Sequence, residues 1–210
     1  TKLFIVAFLI SVLSWGQVNI TALPYSKTDN FNTYNPTSLT NATSTIPNGW
    51  TFSSSGTPAY RGITATPGTN GGYYGFSSTS DSSLGAIRTT AVGNITYTLN
   101  FVNNSGATIT SLSISWNYEQ WGFSNTSGWN VTGTGQLSSN STLNASDFSG
   151  VASGTAGATT PVLLNLTGLN ITNGQSFGIT WTTTDITGSD NAVSIDDFAL
   201  TATSVITPNL

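Results

Sequence analysis

Ile95-Thr96-Tyr97-Thr98-Leu99-Asn100-Phe101 decides the fold class, because every second residue is apolar and Thr or Asn stands between. Side chains along a strand alternate between faces, so this run offers one face to a core and one to water. Leu112, Ile114, Trp116 and Tyr118 repeat the pattern, and Asn103-Asn104-Ser105-Gly106 between the two runs reads as a turn. Val162, Leu164 and Leu166 predict a third such face. Phe177, Ile179 and Trp181 predict a fourth, after a turn at Asn173-Gly174. Strands buried on one face belong to antiparallel sheets. Toward the N-terminus, Ile46-Pro47-Asn48-Gly49-Trp50-Thr51-Phe52 reads as a turn feeding a strand. Gly71-Gly72-Tyr73-Tyr74-Gly75-Phe76 and Ala86-Ile87-Arg88 read as further short strands. Residues 133–160 are weakly patterned and read as long loops. No segment after Gly16 has a 3.6-residue apolar period, and no repeat of fixed length is present. The expectation is an all-β, two-sheet antiparallel β-sandwich, jelly-roll-like.

The last strand carries a slip. Val193 and Ile195 are apolar in one phase, Phe198 and Leu200 in the other, with Asp196-Asp197 between. A one-residue slip flips a strand unless a bulge absorbs it. A bulge is therefore predicted at the acidic pair, able to turn both carboxylates toward one site.

The first residues read differently. Lys2 precedes an apolar run from Leu3 to Leu13, and Ser14-Trp15-Gly16 offers small residues around a cleavage point. That is the pattern of a secretory signal-peptide helix over residues 1–16. A membrane-spanning helix needs roughly 20 apolar residues, more than this run has. Residues 17–204 then form the sandwich domain, and residues 205–210 read as the start of a linker to a downstream domain. The expected location is secreted, extracellular or on the outer cell surface.

Charged residues are 6% of the chain, against about 25% in an average protein. Four basic residues cannot neutralise a run of phosphates, so nucleic acid is excluded as a partner. The chain has no His and no Cys. This removes Ser-His and Cys-His nucleophile arrangements and the usual ligands of zinc, copper and iron. A secreted domain without cysteine leans bacterial. Sequons such as Asn94-Ile95-Thr96 and Asn165-Leu166-Thr167 read as chance products of an Asn/Ser/Thr-rich composition.

Four stretches together carry a family resemblance. They are Ile46 to Phe52; Leu84-Gly85-Ala86-Ile87-Arg88; Phe101-Val102-Asn103-Asn104-Ser105-Gly106-Ala107-Thr108-Ile109 through Tyr118-Glu119-Gln120-Trp121; and Trp181 through Asp185, Gly188 and Asp190 to Ser194-Ile195-Asp196-Asp197-Phe198. The chain resembles the N-terminal jelly-roll module of large secreted bacterial surface proteins, the kind associated with type IX secretion. The resemblance implies further domains downstream and no activity of the module's own. That family commonly has Arg after Glu-Gln-Trp, where this chain has Gly122. The closing Ile-Asp-Asp-Phe strand also resembles MAM-type and carbohydrate-binding jelly rolls, in which acids near the terminal strands hold a structural calcium ion.

Three groups of residues are candidates for chemistry. Asp185, Asp190, Asp196 and Asp197 fall within thirteen residues, and Asp29 lies in the first strand region. Calcium takes six to eight oxygen ligands from irregular loops, so these five aspartates are the expected structural calcium ligands. The bland alternative is that they cap turns. Glu119 is the chain's only glutamate. A glycosidase needs a second carboxylate within about 5–9.5 Å, and sequence places none beside it. The plainer role is a strand-end hydrogen-bonding residue, paired with Arg88. Tyr60, Tyr73, Tyr74, Trp121, Phe123 and Trp129 read as loop aromatics, able to stack on sugar rings or to cap the core. Tyr60, Tyr73, Tyr74, Trp121 and Trp129, with Glu119, are the expected ligand-binding set for a polysaccharide or other surface glycan. No catalytic residue is assigned. The leading function is a non-catalytic accessory or binding module. The runner-up is a structural or adhesive module, and a hydrolase is third.

Overall fold

The computed structural model describes residues 16–57 and 59–204. The expected signal peptide, apart from Gly16, and the linker at 205–210 lie outside the described residues. The fold is all-β, two sheets packed as a sandwich. The first sheet is built on β7 (Ile95–Asn103) and β11 (Ser176–Thr183), with β9 (Asn130–Gly135) beyond β11. On the other side of β7, β1 (Gln17–Ile20) and β3 (Trp50–Ser54) share one edge in tandem. The second sheet is built on β8 (Ser111–Gln120) and β12 (Val193–Thr203). Beyond β8 lies β10 (Ala158–Leu166). The other side of β12 pairs first with β6 (Ser83–Ile87) and then with β2 (Tyr25–Asp29). β5 (Gly72–Phe76) and β4 (Tyr60–Thr64) extend the sheet from β6.

The alternating runs face inward as their periodicity demands. Ile95, Tyr97, Leu99 and Phe101 meet Leu112, Ile114, Trp116 and Tyr118 across the sandwich, all buried. Phe177, Ile179 and Trp181 join them, and on edge strand β10 only Leu166 is fully buried. The 103–110 connection is an arch between sheets rather than a hairpin, since β7 and β8 belong to different sheets. Buried Asn103 holds it together. Its Nδ2 donates to Ala107 O and Ile171 O, both at 2.8 Å, and its Oδ1 accepts from Ser105 Oγ at 2.7 Å.

Two pairings are parallel, β1 with β7 and β4 with β5, so the sheets are mixed rather than purely antiparallel. Both involve edge strands of four or five residues, too short to display a period. Two short helices were also unannounced. In α1 (Leu39–Thr45) only Ala42 is buried, so no apolar stripe exists to be read, and its signal is the N-cap, where Ser38 Oγ accepts from Asn41 N. α2 (Ser141–Asn144) sits in the weakly patterned stretch, capped by Asn140.

Candidate functional site

The bulge falls where the phase slip required it. The register of β12 against β8 shifts between Asp196 and Ala199, and Asp197 adopts a left-handed φ of 49°. This is the point on β12 where β6 stops pairing and β2 begins. Val193 and Ile195 before the bulge, and Phe198 and Leu200 after it, all reach the core. Asp196 and Asp197 therefore both turn away from the core, onto the outer face of the second sheet.

That face carries a buried polar group. Glu119 stands opposite Ser194, and Asn117 opposite Asp196. Glu119 Oε2 accepts from Trp121 Nε1 at 3.0 Å and from Ser194 Oγ at 3.1 Å. Ser83 Oγ donates to Ser194 Oγ at 2.7 Å. Burial raises the Glu119 carboxyl above its ordinary range, against the pull of hydrogen bonds from Ser83, Trp121 and Ser194. Its expected partner Arg88 lies elsewhere, because Arg88 follows Ile87 and alternation points it to the opposite face. Asp196 is 2% exposed, and burial pushes its carboxyl up to about 8. The Asp197 N–H lowers it, while Glu119, Asp197 and Asp81 raise it. A carboxyl whose folded pKa lies above its unfolded value near 3.9 favours folding at low pH. Its contribution is full below about 4 and lost as pH rises through about 8. Urea unfolding from pH 5 to pH 9 is expected to show stability falling with pH, and Asp196→Asn to flatten that slope.

Beside this group, Tyr74, Phe76, Ile87, Trp121 and Ala192 form a second, smaller apolar cluster. Phe76 stacks on Tyr74 at 5.0 Å and on Trp121 at 5.8 Å. Gly85 makes this possible, since a Cβ there would stand 2.4 Å from the Phe76 ring. Gly122 packs as closely, its virtual Cβ 2.9 Å from Ala192 Cβ. An arginine there, as the resembling family carries, has no room in this arrangement.

The aromatics expected in loops are largely inside. Tyr73 and Trp129 belong to the main core, Tyr74 and Trp121 to the smaller cluster, and Tyr60 stacks half-buried on Tyr73 at 5.5 Å. Phe123 is half-buried against Gly154. The Gly-rich stretch around Tyr73 and Tyr74 is the short strand it reads as, β5, but it is buried on both faces rather than open at a loop. Of the expected ligand set, Tyr74, Glu119 and Trp121 share one face, and none of the three presents an open ring or carboxylate.

The five aspartates fall in two regions: Asp185 and Asp190 lie with Arg88 at the end of the sandwich, while Asp29, opposite Phe198 on β12, lines a cavity of about 320 Å³ together with Asp197 of the bulge. Asp29 accepts from Lys27 Nζ at 2.9 Å and Trp50 Nε1 at 2.8 Å. Asp190 lies 3.8 Å from Arg88, with both side chains fully buried, and Asp185 is near enough to raise the pKa of each. Asp196 and Asp197 lie at the bulge. Among the described residues no group of three or more acidic side chains is placed to hold a metal ion. The arginine beside Asp190 and the lysine on Asp29 already supply those carboxylates with positive charge, and no one place gathers all five aspartates.

What the bulge does border is open space. A groove of about 530 Å³ runs between β10 and β12, lined by Ser115, Asn117, Pro161, Val162, Leu163 and Asp197, with Trp116 beneath. Asn117 Nδ2 donates to Asp197 Oδ2 at 3.0 Å, fixing both on its floor. Leu163 is 67% exposed on its wall. No sequence pattern marked this groove, because its residues come from three strands and converge only through register. Among the described residues no helix is long and apolar enough to cross a membrane.

No family model and no curated protein matches the sequence. Solved structures similar to this chain share little sequence with it. An arabinose-bound α-L-arabinofuranosidase aligns with 90% of this chain at 12% identity and TM-score 0.49, and this chain spans 30% of that protein. A cleaved adhesin domain of Lys-gingipain from Porphyromonas gingivalis aligns with 86% of this chain and 99% of its own length, at 12% identity and TM-score 0.47. The CBM22-1 xylan-binding domain from Paenibacillus barcinonensis aligns with 88% of this chain and 97% of its own length, at 15% identity and TM-score 0.42.

Proposed function

We propose that this domain is a non-catalytic binding module of a secreted protein, and that it takes a neutral glycan strand in the groove beside the β12 bulge. The observation that carries the reading is the groove's make-up. It sets an amide and a carboxylate, locked together by the Asn117–Asp197 hydrogen bond, against the outward apolar side chains of Pro161 and Leu163, with Val162 packed into the core between them. Binding sites typically combine such a wall with a few fixed polar groups. Glu119 supports a non-catalytic role, because its carboxylate is held by Trp121 and Ser194 rather than turned to a cleft.

Calorimetric titration with soluble neutral polysaccharides tests this. Binding is expected to at least one backbone type, with Asn117→Ala and Leu163→Ser each weakening it about tenfold, the worth of one hydrogen bond or one buried side chain. Failure across the panel rejects the reading. We keep calcium in the proposal without assigning ligands. A higher unfolding midpoint in calcium than in EDTA supports it, and an unchanged midpoint removes it.

A structural or adhesive role is favoured by one feature, the outer edge of β10. Its 158–163 segment is mostly exposed and presents Leu163, with Pro161 as the residue that limits pairing to another strand. Concentration-dependent self-association, lost in Leu163→Lys, is the outcome that separates this role from glycan binding.

A further inference from the structure

Asp197 borders two cavities. It lines the groove between β10 and β12, and also the cavity of about 320 Å³ on the β2 side of the bulge, with Thr28, Asn30 and Thr33. Its side chain is exposed, and Asn117 holds only one of its carboxylate oxygens. The other has no hydrogen-bond partner among the described residues. A ligand in either cavity therefore meets a fixed carboxylate with a free acceptor.

The surroundings leave that charge unbalanced. Asp197 itself, Glu119 on β8 and Asp81 ahead of β6 all raise the carboxyl of Asp196, and no lysine or arginine acts on Asp196 or on Glu119. Of the basic residues described, Lys27 is paired with Asp29 on the far wall of the smaller cavity. Arg61 donates to Gly71 O at 3.1 Å, and Arg88 is sealed in the sandwich end. These carboxyls do not make a metal cage, since among the described residues no three acidic groups are placed to hold an ion. Their effect is a negative field over the groove, which any charge carried by a ligand must meet.

We infer that the groove selects its glycan by charge, binding a chain with free amines more tightly than the same chain without them, and a chain with carboxylates more weakly, with Asp197 setting the order. This rests on the glycan reading of the groove and adds its substrate class. Asp196 makes the selection measurable. Its carboxyl, pushed up to about 8, holds a proton at neutral pH, and the charge on Asp197 is one of the causes. A cation placed against Asp197 cancels that charge and lowers the Asp196 pKa. A cationic chain therefore expels protons from the domain on binding, and an uncharged chain does not. By linkage, the affinity for a chain of fixed positive charge rises as pH climbs through the Asp196 titration.

The test is calorimetric titration of the full chain with one β-1,4-glucan oligomer in three forms: unmodified, with free amines, and oxidised to carboxylates. At pH 6 and low salt the amine form is expected to bind about threefold tighter than the unmodified one, and the carboxylate form about threefold weaker, the worth of one exposed charge pair. Added salt narrows both steps. Asp197→Asn is expected to bring the three forms within about twofold of one another. Protons are counted at pH 7.5, in two buffers of different ionisation heat, with an N-trimethylated amine form whose charge cannot titrate. Release is expected in wild type and is expected to vanish in Asp196→Asn. The inference is overturned if none of the three forms binds, if they bind alike, or if the carboxylate form binds tightest. The glycan reading itself falls only if the wider neutral panel fails as well. Absence of proton release in wild type also overturns the inference, since the cation then lies away from the bulge. So does a lysine oligomer that displaces the amine form and matches its affinity, which would make the face a peptide site.

Discussion

Arg88→Ala is expected to cost the domain about 3–5 kcal/mol, the penalty for stranding a buried charge by removing its partner. Arg88 is 1% exposed and closes the end of the sandwich where the 122–128 and 184–192 segments meet. Its Nη1 donates to Asn191 O at 2.9 Å, its Nη2 to Ser127 Oγ, and Asp190 Oδ1 lies 3.8 Å away. Asn191 ties the same two segments together, donating to Asn125 O at 2.7 Å and accepting from Ser124 N at 2.7 Å. Burial lowers the guanidinium pKa to about 10, held up by Asp190 and Asp185, so Arg88 stays charged at neutral pH. Without it, Asp190 must bury a lone carboxylate or take up a proton. Urea unfolding at pH 7 measures the loss. The double variant Arg88→Met/Asp190→Asn removes both charges and is expected to recover more than half of it. If the double variant is as unstable as Arg88→Ala, the hydrogen bonds to Asn191 and Ser127 matter more than the charge pairing.

This polar knot also shows where sequence reading stops. Arg88 and Asp190 lie a hundred residues apart, and nothing local links them. Alternation along Ile95–Phe101 and Leu112–Tyr118 was enough to place two inner faces, because one strand's period suffices to say which residues are buried. The bulge was legible for the same reason, since Val193, Ile195, Phe198 and Leu200 could not all reach a core without it. The exposure expected of the aromatics was misjudged on the same logic reversed. Tyr73 and Tyr74 sit in a strand buried on both faces, which has no alternation to say which side meets water. The aspartates' nearness in sequence said nothing about which face each takes. Asp190 turns into the sandwich end and Asp196 onto the outer sheet face. Edge strands β1, β4 and β9 were too short or too little buried to register.

Trp181→Ala is expected to destabilise by about 3–5 kcal/mol, at the upper range for emptying a packed core position. Trp181 is fully buried and joins the two sheets. Its ring stacks on Trp50 at 5.1 Å, while Trp116 and Phe198 meet it edge-on at 5.4 and 6.1 Å. Trp50 in turn holds Asp29 through its indole N–H, so the cavity would reach the β2 edge beside the bulge. The Trp181 Nε1 itself makes no hydrogen bond among the described residues, although Tyr118 lies close by. An unpartnered buried N–H costs about 1–3 kcal/mol. Trp181→Phe keeps a ring in the stack and removes that orphan donor, so its loss is expected to be under half that of alanine. Each kcal/mol shifts the midpoint of a domain this size by about 2–4 °C, so thermal unfolding resolves the two variants. Equal losses for phenylalanine and alanine would show that indole volume, not ring stacking, holds the sheets together at this point.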